Sequence, residues 1–420
     1  MLIEFRVENH RSLRDEQVLT MEAGRGGDDA DLRPRRISGH AERLLTVAAL
    51  YGANASGKSN VLAALAFMRE AVVVSHRIWS PDEGLPRDPF AWGPKRVEPS
   101  LFEATLLLGD VRFQYGFRAS DECFLEEWCH AWPHGKKQVW FERDNNTYKF
   151  GDNLKGENKL IADVTRPNAL FLSAAAQHNH PQLQPIFSWF RAIRVINLAV
   201  GRRRLRSVPT EFVLAQLLGD EASDGHQQTL FPFPREESSE QLLERFRDLL
   251  QVADIGIVDL RAEKNETDNT ARHSIYLKHK SEFENAWLPL REESHGTRTF
   301  FNIALPMLQA FQEGGVLLVD ELERSLHPSL ARQIIRQFND PSANPKNAQI
   351  IFTTHDTNLL GTTLGEAALR RDQVWLTEKD GEGATVLYPL TDYKPRKAEN
   401  LERGYLQGRY GAIPFLSAAR

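Results

Sequence analysis

Residues 51–60 read YGANASGKSN, and this stretch decides how the rest of the chain is interpreted. Gly52, Gly57, Lys58 and Ser59 occupy the four fixed positions of the pattern G-x-x-x-x-G-K-S, which is typical of a phosphate-binding loop. An apolar run before the loop predicts a buried strand, and apolar residues at helical spacing after it predict a helix. A glycine-rich turn can match this pattern by chance, but the strand, loop and helix together favour a nucleotide site.

The loop predicts a set of contacts to ATP and Mg²⁺. Its two glycines let the backbone close around phosphate, so that N–H groups and the start of the helix face the anion. Lys58 supplies positive charge to the β- and γ-phosphates, and the Ser59 hydroxyl is expected to bind Mg²⁺. The residues expected to contact ATP here are Gly52, Asn54, Ala55, Ser56, Gly57, Lys58, Ser59 and Asn60.

Length and composition indicate an ordinary globular protein. The chain has 420 residues, of which 41% are hydrophobic and 26% charged, and its formal net charge is −5. This charge argues against extensive nucleic-acid binding, although a local basic patch could still bind. Two cysteines, Cys123 and Cys129, form neither a disulfide framework nor a zinc site, which favours a reducing cytoplasm. No apolar run is long enough to predict a membrane span, and the charged N-terminus does not predict a signal peptide.

The order of patterns predicts an α/β fold with a mixed central sheet. Residues 1–200 are expected to form a lobe with the phosphate loop and an inserted antiparallel β-sheet, because short aromatic and β-branched runs follow one another between 101 and 150. Residues 201–260 predict a helical, basic insertion, and 261–420 predict the second lobe of the same domain. The basic cluster GRRRLR contains Arg202–Arg206 and is either a solvated face or a contact to a phosphate backbone or partner.

The second half of the site is predicted far along the chain. The run GGVLLVDE predicts a buried strand that ends in Asp320 and Glu321. We expect Asp320 to help hold Mg²⁺ and Glu321 to polarise the water that attacks the γ-phosphate, although an acidic strand end can also be incidental. A second apolar strand ends in TTHD, and its His355 is interpreted as a γ-phosphate contact rather than a structural histidine.

One further turn and one further residue are expected near the nucleotide. The segment EESHGTRTFF places Ser294 and Gly296 at a predicted helix start, which is an anion-binding feature without a lysine. Such a turn can complete the nucleotide site of a second copy of the chain. Arg11 lies in the segment NHRSL beside a strand expected near the nucleotide, but a solvated turn arginine fits this position equally well.

Taken together, GANASGKS, ESHGT, LLVDE, SLHP and TTHD resemble the motifs of ABC, SMC and RecF ATPases, in which two heads sandwich two ATP molecules. The resemblance implies that Ser294 and Gly296 contact the opposing subunit's ATP, that Glu321 is the catalytic base and that His355 is the switch histidine. It also implies a glutamine that contacts Mg²⁺, for which Gln177 in SAAAQHNH is the candidate. The signature reads S-H-G-T where transporters have S-G-G-Q, so transport is not expected.

The opening MLIEFRVENHRSLRDEQVLTMEA, the segment RPNALFLSAAAQHN and the tail GYLQGRYGAIPF resemble stand-alone AAA ATPases of bacterial anti-phage defence. These are relatives of the overcoming-lysogenization-defect ATPases, of the RloA type and of the PARIS ATPase subunit. The resemblance implies a homo-oligomer, a phage trigger and a separately encoded effector, commonly a Toprim nuclease. The segment after His355 contains no D-x-D pair and is shorter than a nuclease domain of about 100 residues, so the effector is expected in trans. A RecF-like DNA-repair ATPase and a scaffold with negligible turnover are the alternatives.

Overall fold

The computed structural model describes residues 1–24, 30–198, 210–218, 239–253, 256–264, 273–363, 365–394 and 399–414. The basic cluster Arg202–Arg206 and the polar segment 219–237 lie outside these residues. The strands in chain order are β1 (Leu2–Glu8), β2 (Gln17–Thr20), β3 (Val47–Gly52), β4 (Ser100–Leu108), β5 (Val111–Ala119), β6 (Phe124–Trp132), β7 (Gln138–Asp144), β8 (Thr147–Phe150), β9 (Arg194–Ile196), β10 (Ile257–Lys264), β11 (His273–His279), β12 (Trp287–Pro289), β13 (Val316–Val319), β14 (Gln349–Thr353), β15 (Val374–Lys379) and β16 (Thr385–Pro389). The α-helices are α1 (Lys58–Val74), α2 (Asn158–Asp163), α3 (Phe171–Gln177), α4 (Gln184–Arg191), α5 (Thr210–Leu218), α6 (Ser239–Ala253), α7 (His295–Glu313), α8 (Pro328–Asn339) and α9 (Leu401–Leu406).

The central sheet has the strand order β16-β15-β3-β14-β13-β9. Strands β15, β3, β14, β13 and β9 run parallel, and only β16 is antiparallel to its neighbour. Every residue of β3 is buried, because its alternate side chains enter two different cores. Ala48 and Leu50 belong to the core that contains α1, whereas Val47, Ala49 and Tyr51 belong to the core that contains α7 and α8. The predicted α/β fold with a mixed central sheet is confirmed.

The second sheet is antiparallel and has the order β2-β1-β4-β5-β6-β7-β8. The predicted β-lobe after the first helix is therefore present, and the two N-terminal strands join its edge through β1 and β4. A third sheet, β10-β11-β12, precedes α7 in the chain. Helix α7 begins at His295, directly after Ser294, whose side chain caps it.

A buried ion pair joins the β-lobe to α3. Glu127 on β6 and Arg143 on β7 lie 3.7 Å apart, and both side chains are fully buried. The Glu127 carboxylate also accepts hydrogen bonds from the Tyr115 hydroxyl at 2.9 Å and from the backbone N–H of Phe171 and Leu172 at 2.7 and 3.0 Å. The charge of Glu127 is thus shared by one cation and three donors, which fixes the start of α3 on the sheet.

Removal of the cation from this network should destabilise the fold. We expect Arg143→Met to lower the free energy of unfolding by about 3–5 kcal/mol, because it removes the cation that pairs with the buried Glu127 charge. The matched control is Arg118→Met on β5, whose partner Glu126 on β6 lies 3.6 Å away and has a side chain that is 52% exposed. This surface pair should contribute less than about 1 kcal/mol. Equal losses in urea denaturation of the two variants would contradict the structural role of Arg143.

Candidate functional site

The phosphate loop connects β3 to α1 as predicted, and its backbone requires glycine at one position. Gly57 caps α1 with a φ of +106°, in the left-handed region that side chains rarely adopt. A Cβ atom at Gly57 would also collide with the hydroxyl groups of Thr385 and Ser12. Asn54 and Ala55 are exposed at the tip of the loop, whereas Ser56 is buried and hydrogen-bonds to Thr377 at 2.6 Å.

The side chain of Lys58 folds back onto the phosphate loop. Its side-chain Nζ atom donates to the backbone oxygens of Gly52 and Ala53 at 2.9 and 3.0 Å, and the residue is only 6% exposed. Burial lowers the pKa of this ammonium to about 8, although Asp320, Glu323 and Glu321 act in the opposite direction. An arriving phosphate would supply the negative charge that restores the pKa.

Ser59 and Asp320 meet although they lie far apart in the sequence. The Ser59 hydroxyl donates to Asp320 Oδ1 at 2.8 Å, and the Thr353 hydroxyl donates to the same oxygen at 2.7 Å. Asp320 directly follows β13, and its backbone N–H bonds to Ile196 at the end of β9. A hydroxyl and a carboxylate beside a phosphate-binding loop are oxygen ligands suited to Mg²⁺, so these residues fit the ion predicted here.

Glu321 and His355 lie on the same edge of the central sheet. Glu321 is exposed, has a left-handed backbone with φ +54°, and donates its N–H to Thr353 Oγ1 at 2.7 Å. His355 follows β14, and its backbone N–H donates to Glu323 at 2.6 Å. Its pKa is lowered by desolvation and by the Lys58 ammonium. The site therefore gathers the loop and both predicted catalytic residues at the carboxyl ends of parallel strands.

The turn before α7 is a helix start that Ser294 caps. Ser294 Oγ accepts the Thr297 N–H at 3.1 Å, and a Cβ atom at Gly296 would lie 3.0 Å from the Ser325 carbonyl oxygen. The turn thus lies beside residues Ser325–Pro328 of its own chain, the SLHP loop. In the described part of the chain, no hydrogen bond or ion pair links Ser294 or Gly296 to the phosphate loop.

Arg11 lies near the loop but is engaged elsewhere. Its guanidinium group pairs with Asp88 at 3.4 Å, and its backbone, with φ +51°, donates to the Asp88 carbonyl at 2.6 Å. The next residue, Ser12, is the one that reaches the loop helix, because it accepts a hydrogen bond from Asn60 at 2.6 Å. The prediction that Arg11 contacts ATP remains a prediction.

The placement of Gln177 contradicts its prediction as a Mg²⁺ ligand. Gln177 ends α3, and the start of α3 packs on the far end of α1, where Ser75 accepts the Leu170 N–H at 3.1 Å. Helix α1 has 17 residues, so its two ends are separated by about 25 Å. The ring of His178, the residue after Gln177, lies 6.4 Å from the ring of His76 just beyond α1, so the end of α3 is also held away from Ser59.

Asn197 lies at the carboxyl end of the central sheet, beside Asp320. It directly follows β9, the neighbour of β13 in the sheet, and Asp320 bonds to the residue before it, Ile196, at 3.1 Å. Asn197 is exposed and has a left-handed backbone with φ +59°. Its amide oxygen is a suitable ligand for Mg²⁺ or its waters. The sequence signal was a polar residue after a short apolar run, which the prediction overlooked.

These features define a P-loop nucleotide-binding site on a mixed α/β sheet. The chain belongs to the family described as "AAA domain, putative AbiEii toxin, Type IV TA system", whose model matches residues 47–361. The matched span begins at β3 and ends after His355, so it includes every residue of the site described above except Arg11, Ser12, Thr377 and Thr385.

Among characterised proteins, the chain is similar to the Septu protein PtuA of Bacillus mycoides (strain KBAB4), with 28% identity over 154 residues. The alignment covers 35% of this chain and 20% of PtuA, so the match spans a fifth of that relative. Among solved structures, it is similar to the SMC head domain from Thermotoga maritima, at 12% identity and a TM-score of 0.39, over 92% of this chain and 98% of that one. It is also similar to the SmcHead bound to the C-winged helix domain of ScpA, at 12% identity and a TM-score of 0.43, over 94% and 99% of the two chains. None of the helices in the described ranges has the length and apolarity that a membrane crossing requires.

The buried Lys58 predicts a pH signature for Mg-ATP binding. Because its pKa in the free protein is about 8 and a bound phosphate raises it, binding should require proton uptake above pH 8 and little below. The affinity should fall by up to about tenfold per pH unit above pH 8. Isothermal titration in two buffers of different ionisation enthalpy, at pH 7 and pH 9, measures the protons taken up.

Lys58→Met is the control for this titration, since its residual binding should show no proton uptake at either pH. Wild-type binding without proton uptake at pH 9 would show that the ammonium is not perturbed in the free protein.

Proposed function

We propose that this chain binds Mg-ATP at the loop between β3 and α1 and hydrolyses it. The observation that carries the proposal is the continuous set of hydrogen bonds that links Ser59, the neighbour of Lys58, to Asp320 and, through Thr353, to Glu321. Lys58 would bind the β- and γ-phosphates, and Ser59 with Asp320 would hold Mg²⁺, which offsets the phosphate charge. Glu321 is exposed at the strand end, where a carboxylate can accept a proton from the attacking water. His355 would contact the γ-phosphate.

We further propose that two copies of the chain close around the nucleotide. The turn of Ser294 and Gly296 has an anion-binding geometry but no link to the phosphate loop of its own chain within the described residues. In a two-fold dimer, each turn would contact the γ-phosphate bound by the other subunit. The contact of Gly296 with Ser325 supports this arrangement, since it would let the SLHP loop respond to the partner's nucleotide.

We propose that this ATP-driven assembly is a sensor or scaffold that controls a separately encoded toxic effector during phage infection. The family description, which names a toxin of a toxin–antitoxin system, and the similarity to a Septu protein support this role. The proposed effector is a Toprim-type nuclease, and the proposed trigger is a phage protein or DNA. Cys123 and Cys129 are both free thiols, which supports the cytoplasm as the compartment.

The Glu321 assignment predicts separate effects on hydrolysis and assembly. We expect Glu321→Gln to lower kcat by at least about 100-fold, because the amide cannot accept a proton, while ATP binding persists. With Mg-ATP, the variant should change from a species of 47.8 kDa to one of twice that mass in size exclusion with light scattering.

Glu366→Gln, an exposed glutamate away from the site, is the matched control for this experiment. Hydrolysis by Glu321→Gln at the wild-type rate would reject the base assignment. A larger complex that forms without ATP would instead indicate a constitutive scaffold.

A further inference from the structure

Glu323 is a third carboxylate of the loop after β13, and the ATP site described above gives it no role. Its Oε1 atom accepts the backbone N–H of His355 at 2.6 Å. Its Oε2 atom is buried, and no hydrogen-bond partner for it exists among the described residues. One carboxylate oxygen thus binds the His355 backbone while the other is withdrawn from solvent, which is unusual for a glutamate beside other acidic residues.

The loop of Glu323 is tied to the end of β14 at successive positions. Two hydrogen bonds link Thr353 to this loop. Its hydroxyl accepts the Glu321 N–H, and its carbonyl accepts the Leu322 N–H at 3.0 Å. The next residue, Thr354, donates its N–H to Leu50 of β3 at 3.1 Å. Sheet contacts thus fix the backbone as far as Thr354.

His355 is the first residue beyond these sheet contacts, and Glu323 supplies the acceptor for its N–H. The loop turns on both sides of Glu323, where Glu321 and Ser325 have left-handed backbones. These turns bring the Glu323 carboxylate to the His355 N–H. Non-glycine residues in this conformation are uncommon and are retained where the surrounding contacts determine the geometry. Asp356, the residue after His355, is held by Tyr51 and Thr354, so the position of His355 depends on these contacts together with a side chain of the acidic loop.

We propose that Glu323 is a positioning residue that holds the His355 backbone so that its imidazole faces the γ-phosphate. This inference rests on the proposed function, and it assigns no proton transfer to Glu323. A hydrogen bond from a backbone N–H to a carboxylate is stronger than one to a neutral acceptor, so its loss should release the switch residue. Glu323 would thereby transmit the position of the acidic loop to His355.

The kinetic test compares variants that keep or remove the acceptor. Glu323→Gln keeps an oxygen at similar volume and should retain kcat within about threefold, whereas Glu323→Met removes it and should lower kcat by about tenfold or more. Both variants remove the same charge near Lys58, so any change in the Kd for ATP should be equal in the two, and Glu366→Met is the control. In a His355→Ala background, Glu323→Met should cost less than about twofold, because the two residues act as one unit.

Two kinetic outcomes would overturn the proposal. Wild-type kcat in Glu323→Met would show that the hydrogen bond has no effect on turnover. A loss in Glu323→Gln as large as that in Glu321→Gln would show that the Glu323 charge acts on the reaction itself.

An NMR measurement tests the same contact without hydrolysis and without the Met variant. In protein labelled with ¹⁵N only at its 13 histidines, His355→Gln identifies the His355 amide signal. Glu323→Gln should move that proton signal upfield and leave most other histidine signals in place, because the acceptor loses its charge. An unshifted His355 signal would reject the contact. If the wild-type chain does not hydrolyse ATP, the proposed function fails, and this measurement still decides the role of Glu323.

Discussion

The Asp320 carboxylate is the point on which the site depends. One of its oxygens accepts hydrogen bonds from Ser59 at the start of α1 and from Thr353 at the end of β14. Three segments that are distant in the sequence thus meet at one atom, and the parallel order of β3, β14 and β13 brings their carboxyl ends together. This contact links the phosphate loop to the loop that carries Glu321, the proposed catalytic base.

The electrostatics of the site follow from the same geometry. Lys58 is buried against backbone oxygens, so its positive charge is costly until an anion arrives. Asp320, Glu321 and Glu323 lie close enough to favour the charged form of Lys58, yet they also repel the phosphates of ATP. A divalent cation between Ser59 and Asp320 would offset this repulsion. The arrangement therefore favours ATP together with Mg²⁺ over either one alone.

The sequence identified those parts of the site that lie in strong local patterns. The loop pattern, the apolar strands β13 and β14 and the acidic and histidine residues after them were all predicted, because a buried parallel strand is a continuous apolar run. Strand β9 was missed because it has only three residues, so Asn197 was overlooked. Gln177 was chosen by its residue type, and only the tertiary packing of α3 on the far end of α1 shows why it cannot serve.

The β-lobe also has features that could not be predicted from the sequence. Alternating aromatic residues predicted its strands, but the pairing of β1 with β4 brings together residues about 100 positions apart in the sequence. The burial of Glu127 against Arg143 could not be read from a period-two pattern, since charged residues are normally placed on the solvated face. Long-range pairing and buried charge are properties of the folded chain rather than of any short segment.

The most direct test of the central claim is the ATPase activity of a mixture of two inactive variants. Lys58→Ala lacks the phosphate-loop charge, and Ser294→Arg blocks the turn that would contact the opposing nucleotide. If two copies share each site, either variant alone should be inactive. Equal amounts mixed should then regain about a quarter of the wild-type activity, because half of the dimers hold one intact composite site. A mixture as inactive as its components, or a fully active Ser294→Arg, would contradict the account.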